Sequence, residues 1–187
     1  MTNTFLWNRR AMRLGLATLA LTLAFAPLGC KRKAKVRVQA TEEEAPRMAS
    51  TVSMGDPRSE PQLVSGFYTI EQGSWRWTAR QFTIVLRPPF GASEKGAVLK
   101  MQLAVPDPVI AQLRTISLSA SINGHLLPPE TYTKPGPYTY KREVAASLLA
   151  GESTKVEFQL DKAVPPVTGG DQRELGIVAQ SIGLEPK

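Results

Sequence analysis

The sequence predicts an all-β fold, an antiparallel sandwich of two sheets of the jelly-roll type, preceded by a signal peptide and a disordered tether. Three observations predict it. From Val64 onward, apolar and polar residues alternate with a period of two over several short runs. Pairs of Pro and Gly residues separate these runs, and an apolar leader with a basic start precedes them. Such alternation favours antiparallel strands with one buried face and one solvated face.

Five runs are predicted to be strands because every second residue in them is apolar. Their apolar positions are Phe82, Ile84 and Leu86; Leu99, Met101, Leu103 and Val105; Ile116, Leu118, Ala120 and Ile122; Val156, Phe158 and Leu160; and Leu175, Ile177 and Ala179. Asn123-Gly124 after the third run is a type I′ hairpin signal. Turns are also expected at Pro128-Pro129 and at Pro135-Gly136-Pro137. Short helices are expected at 109–114 and 144–150, and seven to nine strands in total.

Residues 1–29 have the layout of a secretory signal peptide. A basic start precedes an apolar run, 14–28, that is shorter than the roughly 18–20 residues of a membrane-spanning helix. Ala24-Phe25-Ala26 fits the pattern of ordinary signal peptidase, but Pro27 directly after it fits poorly because proline fixes φ and has no amide hydrogen. Gly29-Cys30 resembles the end of the lipobox of bacterial lipoproteins, although Pro27 and Leu28 depart from that pattern.

Cys30 is the only cysteine in the chain, which excludes a disulfide within it. The lipobox resemblance implies cleavage before Cys30 and acyl chains on it. The protein is then anchored in the bacterial cell envelope and faces the periplasm. Lys31 is not the aspartate that retains lipoproteins at the inner membrane, which favours the outer membrane. An incidental cysteine in an uncleaved anchor is the alternative.

Residues 30–62 are predicted to be a lipidated, flexible tether, because few large apolar side chains are available to offset the entropy of ordering. Basic residues follow the cysteine at once and are expected to contact the membrane surface, each adding about 1 kcal/mol of attraction to anionic lipid. They are Lys31, Arg32, Lys33, Lys35 and Arg37.

The net charge of +7 is concentrated in the leader and the tether. From Val64 onward the chain has 13 basic and 11 acidic residues, a net charge of +2. A nucleic-acid-binding domain needs basic residues on a folded face, so no nucleic-acid partner is expected.

The region 63–187 is predicted to be one β-sandwich domain, and its motifs carry a second resemblance. The motifs are Gly66-Phe67-Tyr68, Glu71, Trp75-Arg76-Trp77-Thr78, Ile122-Asn123-Gly124, and Asp171 followed by Arg173-Glu174-Leu175-Gly176-Ile177. They resemble a small, carbohydrate-binding-like β-sandwich domain of bacterial envelope proteins, also found beside glycosyltransferase domains. The resemblance implies a fold and no single ligand.

Aromatic residues are the candidate contacts for a ligand or a protein partner. Trp75 and Trp77 are two residues apart, so both face one side of a strand, and Arg76 faces the other side. The pair is either core packing, a platform for sugar rings or part of a protein interface. Tyr132, Tyr138 and Tyr140 surround a turn and either form a contact surface or cover the end of the sandwich.

Four charged residues could carry either structure or chemistry. Glu71 with Asp171 or Glu174 could hydrolyse a glycoside if the carboxylates faced each other across a cleft. Arg173 lies between Asp171 and Glu174 in sequence, which favours structural ion pairs instead. His125, the only histidine, is expected to be exposed, and neither a metal site nor a cofactor is expected.

The sequence therefore predicts a non-enzymatic, lipid-anchored envelope protein that presents a β-sandwich to a protein partner or a glycan. A protein partner is placed first because no residues of a ligand cleft are recognisable. A glycan hydrolase and a purely structural lipoprotein are the alternatives.

Overall fold

The computed structural model describes residues 48–187, and within them lie nine strands, two short α-helices and two 3₁₀ helices. The strands are β1 (Thr51–Ser53), β2 (Leu63–Phe67), β3 (Arg76–Leu86), β4 (Ala97–Val105), β5 (Ile116–Ile122), β6 (His125–Tyr132), β7 (Gly136–Val144), β8 (Thr154–Leu160) and β9 (Val178–Pro186). The helices are α1 (Ala92–Lys95), α2 (Asp107–Leu113), η1 (Pro57–Gln62) and η2 (Ala146–Leu148). No helix in this part of the chain is long and apolar enough to cross a bilayer.

The strands pair antiparallel throughout and form two sheets around one core. Sheet A has the order β7-β4-β9. On the side of β9 opposite β4, both β1 and the start of β3 pair with β9. Sheet B has the order β6-β5-β8-β3-β2. β3 belongs to both sheets, since Arg76 and Trp77 pair with β9 and residues 81–86 pair with β8. The predicted antiparallel two-sheet sandwich is confirmed.

The core lies between the sheets and consists of the inward positions of the alternating strands. In β3 these are Phe82, Ile84 and Leu86, all at most 1% exposed. The ring of Phe82 stacks on that of Phe158 in β8, with centroids 4.8 Å apart. Four of the five predicted runs thus correspond to β3, β4, β5 and β8, because alternation places every second side chain in the interior.

The β5–β6 hairpin turns at Asn123 and Gly124, as predicted. Both residues have positive φ, 51° and 79°, as a type I′ turn requires. Ile122 and His125 pair directly across the two-residue loop.

Two predicted turns lie inside or at the start of strands. Pro128 and Pro129 belong to β6, and Pro137 is the second residue of β7. β6 is an edge strand of sheet B with an irregular register in this region, and such positions tolerate proline because no ladder hydrogen bond is lost.

The last predicted strand begins later than expected. Leu175 forms an isolated bridge with Val164, and Gly176 donates its N–H to the carbonyl of Thr78. Regular strand pairing starts only at Val178, because the backbone of Leu175 hydrogen-bonds to Val164 and the backbones of Gly176 and Ile177 hydrogen-bond to Thr78. Of the two predicted helices, 109–114 corresponds to α2, whereas 144–150 contains only the 3₁₀ turn η2.

The C-terminal part of the predicted tether is folded, which corrects the boundary at residue 62. β1 pairs with β9, and Val52 and Met54 are 3% and 0% exposed. The side chain of Gln62 accepts a hydrogen bond from Ala49 N and donates to the carbonyls of Ala49 and Val85. The apolar side chains are too few for a sequence signal, but they complete the existing core.

Candidate functional site

Trp75 and Trp77 lie on the side of their strand opposite Arg76, and both are partly buried. Arg76 and Thr78 are 4% and 0% exposed, while Trp77 between them is partly exposed. Because side chains alternate along a strand, both Trp residues lie on the outer face. Their rings meet edge to face, with centroids 6.3 Å apart and an interplanar angle of 80°. Trp77 also packs against the edge of the core, which Trp75 does not.

Arg76, between the two Trp residues, fixes this orientation from the inside. Its Nε donates to Met54 O at 3.1 Å and its Nη1 to Tyr68 O at 3.0 Å. Its Nη2 pairs with Glu60 Oε2 at 2.6 Å. If the strand were flipped so that the Trp side chains pointed inward, the Arg76 guanidinium would lose these three partners, and breaking such a buried pair is strongly destabilising. The outward direction of the Trp pair therefore follows from the satisfied arginine.

The register of sheet A extends the aromatic pair into a row across the sheet. Trp77 pairs with Val178, Val178 with Ala104, and Ala104 with Pro137. All four residues are on the outer face, because strand neighbours such as Leu103 and Ala179 point into the core; Val178 is nevertheless covered there and is 7% exposed. We call these four residues the apolar row.

A polar depression borders the apolar row. It has a volume of about 510 Å³ and is open to solvent. Gln102, Thr139 and Gln180 line it, together with Pro137 of the apolar row and Tyr138. Its lining carries amide and hydroxyl groups and no formal charge, so it can donate and accept hydrogen bonds to a neutral ligand.

Two of the three candidate tyrosines are buried and form no contact surface. Tyr132 and Tyr140 are 2% and 0% exposed, and Tyr138 is partly buried with its ring 4.6 Å from that of Tyr132. β7 alternates so that its even-numbered residues face the core. The contact prediction is therefore wrong for Tyr132 and Tyr140, whereas Tyr138 lines the depression.

Arg173 joins two of the candidate carboxylates. Its Nη1 lies 2.8 Å from Glu71 Oε1 and its Nη2 lies 2.7 Å from Asp171 Oδ2. The guanidinium also lies over the ring of Tyr68, 5.2 Å from its centroid. These contacts tie the loop before β9 to the segment before β3.

Glu174 is outside this cluster. Its Oε2 accepts the backbone N–H of Arg80 at 3.1 Å, and none of the described residues forms an ion pair with it. The prediction of a structural ion pair is wrong for Glu174, because the backbone turns its side chain toward β3.

The cluster is a poor proton donor for glycoside hydrolysis. Hydrogen bonds from the Arg173 side chain and backbone lower the pKa of Asp171 to about 2. A general acid for this reaction needs a raised pKa. Glu71 and Asp171 also share one guanidinium, so both carboxylates are held in ion pairs with Arg173.

The remaining predictions concern His125, a metal site and the lipidated segment. His125 is exposed next to the β5–β6 turn, as predicted. Within residues 48–187, no group of three His, Cys, Asp or Glu side chains could hold a metal ion. Cys30 and the basic residues at 31–37 lie outside the described residues.

Gln102, Thr139 and Gln180 were not identified from the sequence. Each is an ordinary solvent-facing residue of a different strand, and only the register brings them together. The signal that pointed to this face was the Trp75-x-Trp77 spacing.

Known structures of similar fold include carbohydrate-binding modules. No family model matches the chain, and no curated protein matches it. The chain is similar to the module TmCBM27, named for specific mannan recognition, with 12% identity, a TM-score of 0.43 and coverage of 73% of this chain and 95% of that one. It is also similar to the CBM36-1 domain of a xylanase from the hindgut metagenome of Trinervitermes trinervoides, with 14% identity, a TM-score of 0.36 and coverage of 71% and 94%.

A third similar structure is an acetyl xylan esterase, Est2A, from Butyrivibrio proteoclasticus. Identity is 9%, the TM-score is 0.43, and the match covers 75% of this chain and 33% of the esterase. At such identities the similarities concern the fold alone.

Proposed function

We propose that this protein is a non-catalytic glycan-binding module, held at the bacterial cell envelope by acyl chains on Cys30. The observation that carries the first part is the outer face of sheet A, where Trp75 and Trp77 lie at one end of the apolar row and an uncharged polar depression borders the other end. An indole ring offers a flat apolar surface to the C–H face of a sugar ring. Gln102, Thr139 and Gln180 supply hydrogen-bond partners for sugar hydroxyls farther along the same face.

The depression changes the order of the two binding hypotheses. A protein partner came first from the sequence because no cleft was recognisable. The polar depression and the apolar row now form a surface whose chemistry fits a neutral sugar chain, and the buried Tyr132 and Tyr140 no longer offer a protein contact.

The hydrolase alternative has little support from the cluster around Arg173. The pKa of Asp171 is lowered, and a carboxylate held by arginine does not donate a proton at neutral pH. The Trp pair and the depression act without a reaction, so a binding role requires no further group.

The anchoring part of the proposal rests on the sequence of the leader. Acylated Cys30 would attach the protein to a membrane facing the periplasm, with the outer membrane favoured by Lys31. Lys31, Arg32, Lys33, Lys35 and Arg37 would add attraction to anionic headgroups.

Retention on immobilised glycans tests the binding role. Wild-type protein and Trp75→Ala are compared on peptidoglycan sacculi, mannan and xylan. We expect the wild type to be retained by at least one of them and Trp75→Ala to bind at least about tenfold more weakly, as for removal of an aromatic anchor. Trp75 does not pack against the core, so the thermal midpoint of Trp75→Ala should fall only slightly, through the loss of the edge-to-face contact with Trp77.

Gln81→Ala is the matched control, because Gln81 lies on the outer face of sheet B. Its glycan retention should equal that of the wild type. Equal retention of Trp75→Ala and wild type would refute the platform. A protein captured through Trp75, with no glycan bound, would restore the protein-partner hypothesis.

The intact mass of the membrane-extracted protein tests the anchor. We expect a chain that begins at Cys30 and carries the added mass of its acyl groups. A mature chain that begins at another residue, or without acyl mass, would refute the anchor and leave the glycan-binding face unaffected.

A further inference from the structure

One end of the sandwich, where β3 ends and β4 begins, carries a fully exposed aromatic side chain. Phe90 lies in the connecting loop, and none of its side chain is covered. Pro88 and Pro89 precede it, and α1 starts directly after Gly91. Because proline fixes φ, Pro88 and Pro89 restrict the backbone before Phe90, and the helical turn of α1 restricts it afterwards. Phe90 is therefore held away from the core by restrained backbone.

The chain enters the fold at this same end. Met48, the first residue that the structure describes, is 37% exposed and lines an open depression of about 560 Å³ together with Pro88 and Pro89. The N–H of Arg87 donates to the carbonyl of Ala49 at 3.1 Å, which places the incoming chain beside the loop. Any anchor on the preceding segment therefore leads to the Phe90 end.

The predicted lipidation site is close in sequence. Cys30 precedes Met48 by 18 residues, a distance of about 60 Å at full extension. A domain on such a short connection has a high effective concentration at the bilayer, so a weak second contact is sufficient to be populated.

We propose that the Phe90 end of the sandwich rests on the lipid surface in which Cys30 is anchored, with the Phe90 ring among the headgroups and upper acyl chains. This inference rests on the proposed acylation of Cys30. Interfacial insertion of Phe is favourable because the ring leaves water. Arg87 and Glu152, which both line the depression, have opposite charges. These charges offset each other, so the contact of Phe90 should persist at high salt, unlike one driven by anionic lipid.

A spin label at position 90 tests this contact in the full acylated chain. Acylation occupies the thiol of Cys30, so Phe90→Cys supplies the only free thiol for a nitroxide. The protein is reconstituted in vesicles of phosphatidylethanolamine and phosphatidylglycerol. We expect the label to be accessible to oxygen and shielded from a water-soluble nickel complex at both low and high salt. Removal of so exposed a side chain should leave the thermal midpoint unchanged.

Val167→Cys is the matched control. Val167 is 52% exposed in the loop between β8 and β9, at the opposite end of the sandwich, and its label should stay accessible to nickel. Equal nickel accessibility at positions 90 and 167, on vesicles that carry the protein, overturns the inference and leaves the anchor intact.

Two further outcomes overturn the inference for other reasons. A label at position 90 that is shielded without vesicles, in a chain that also carries Cys30→Ser, reveals a protein contact instead of a lipid contact. A chain that fails to float with the vesicles overturns the anchor and the lipid contact together.

Discussion

Tyr132 and Tyr140 are both buried, yet their hydroxyl groups are in different situations. The hydroxyl of Tyr140 donates to Pro128 O at 3.0 Å. The hydroxyl of Tyr132 has no hydrogen-bond partner among residues 48–187. Burial raises the pKa of both phenols, so both stay neutral over the physiological range. An unsatisfied buried hydroxyl costs free energy, whereas a satisfied one contributes a modest gain.

Removal of the two hydroxyl groups should therefore affect stability differently. Tyr132→Phe should leave the free energy of unfolding unchanged or raise it by up to about 1 kcal/mol. Tyr140→Phe should lower it by roughly 0.5–1.5 kcal/mol, toward the low end because Arg142 also donates to Pro128 O. Urea unfolding of both variants measures these changes. An equal loss in both variants would contradict the assignment.

The sequence could not distinguish these two tyrosines. The cluster around Pro135-Gly136-Pro137 was interpreted as a surface feature, because proline and glycine are typical of turns. Tyr140 is buried because the even-numbered residues of β7 face the core up to Val144. Two of these inward residues, Tyr140 and Arg142, carry polar groups, so the sequence shows no apolar alternation there.

At the level of the elements, two glycines have the same backbone conformation and different surroundings. Gly66 in β2 has φ of +76° and Gly124 in the β5–β6 turn has φ of +79°. A Cβ at Gly124 would meet nothing within 4 Å, whereas a Cβ at Gly66 would collide with the backbone of Gln81 and Phe82 in β3. Only at Gly66 is the lack of a side chain needed for strand packing.

Substitution of the two glycines separates backbone strain from steric collision. Gly124→Ala should cost roughly 1–2 kcal/mol of unfolding free energy, the cost of a left-handed backbone. Gly66→Ala carries the same cost plus displacement of β3, so we expect a total above about 3 kcal/mol. Thermal and urea unfolding compare the pair. Similar losses in the two variants would show that β2 moves aside freely.

Strands with regular alternation were accessible from sequence, whereas strands without it, including the interior strand β9, were not. β3, β4, β5 and β8 are flanked by other strands in their sheets, and their alternating pattern is strong. β1 and β2 are short, and β6 contains Pro128 and Pro129, so the period-two signal there is weak. Edge strands gain much of their stability from pairing with a neighbour, and that pairing cannot be seen in a single run of residues.

For the whole molecule, the segment from Met48 to Gln62 decides where the folded domain begins. Met54 is completely buried, and its carbonyl accepts a hydrogen bond from Arg76. The Ser, Gly and Pro residues around it are typical of linkers, which explains why the sequence placed this segment in the tether. The candidate site was equally hidden, because the apolar row takes one residue from each of four strands.

Two methionines of this segment test that boundary. Met54→Ala should lower the free energy of unfolding by about 2–5 kcal/mol, as for other buried large-to-small substitutions. Met48→Ala should lower it by much less than Met54→Ala does, because Met48 is 37% exposed and lies outside the core. Urea unfolding of the full chain, measured away from membranes, compares them. A negligible effect of Met54→Ala would place this segment outside the cooperative unit.

The pairing of β1 with β9 also determines how the domain responds to mechanical load. β1 enters from the end that carries Phe90, and its three residues pair with Ser181, Ile182 and Gly183. A force that pulls residue 48 away from a ligand held at Trp77 acts along the axis of β1, and it passes through β9, which pairs with both β1 and Trp77. Hydrogen bonds loaded in shear must break together, whereas bonds at a peeling end break one by one. Tension between the proposed glycan ligand and the proposed membrane anchor would therefore load the hydrogen bonds between β1 and β9 in shear, the direction in which they resist force best.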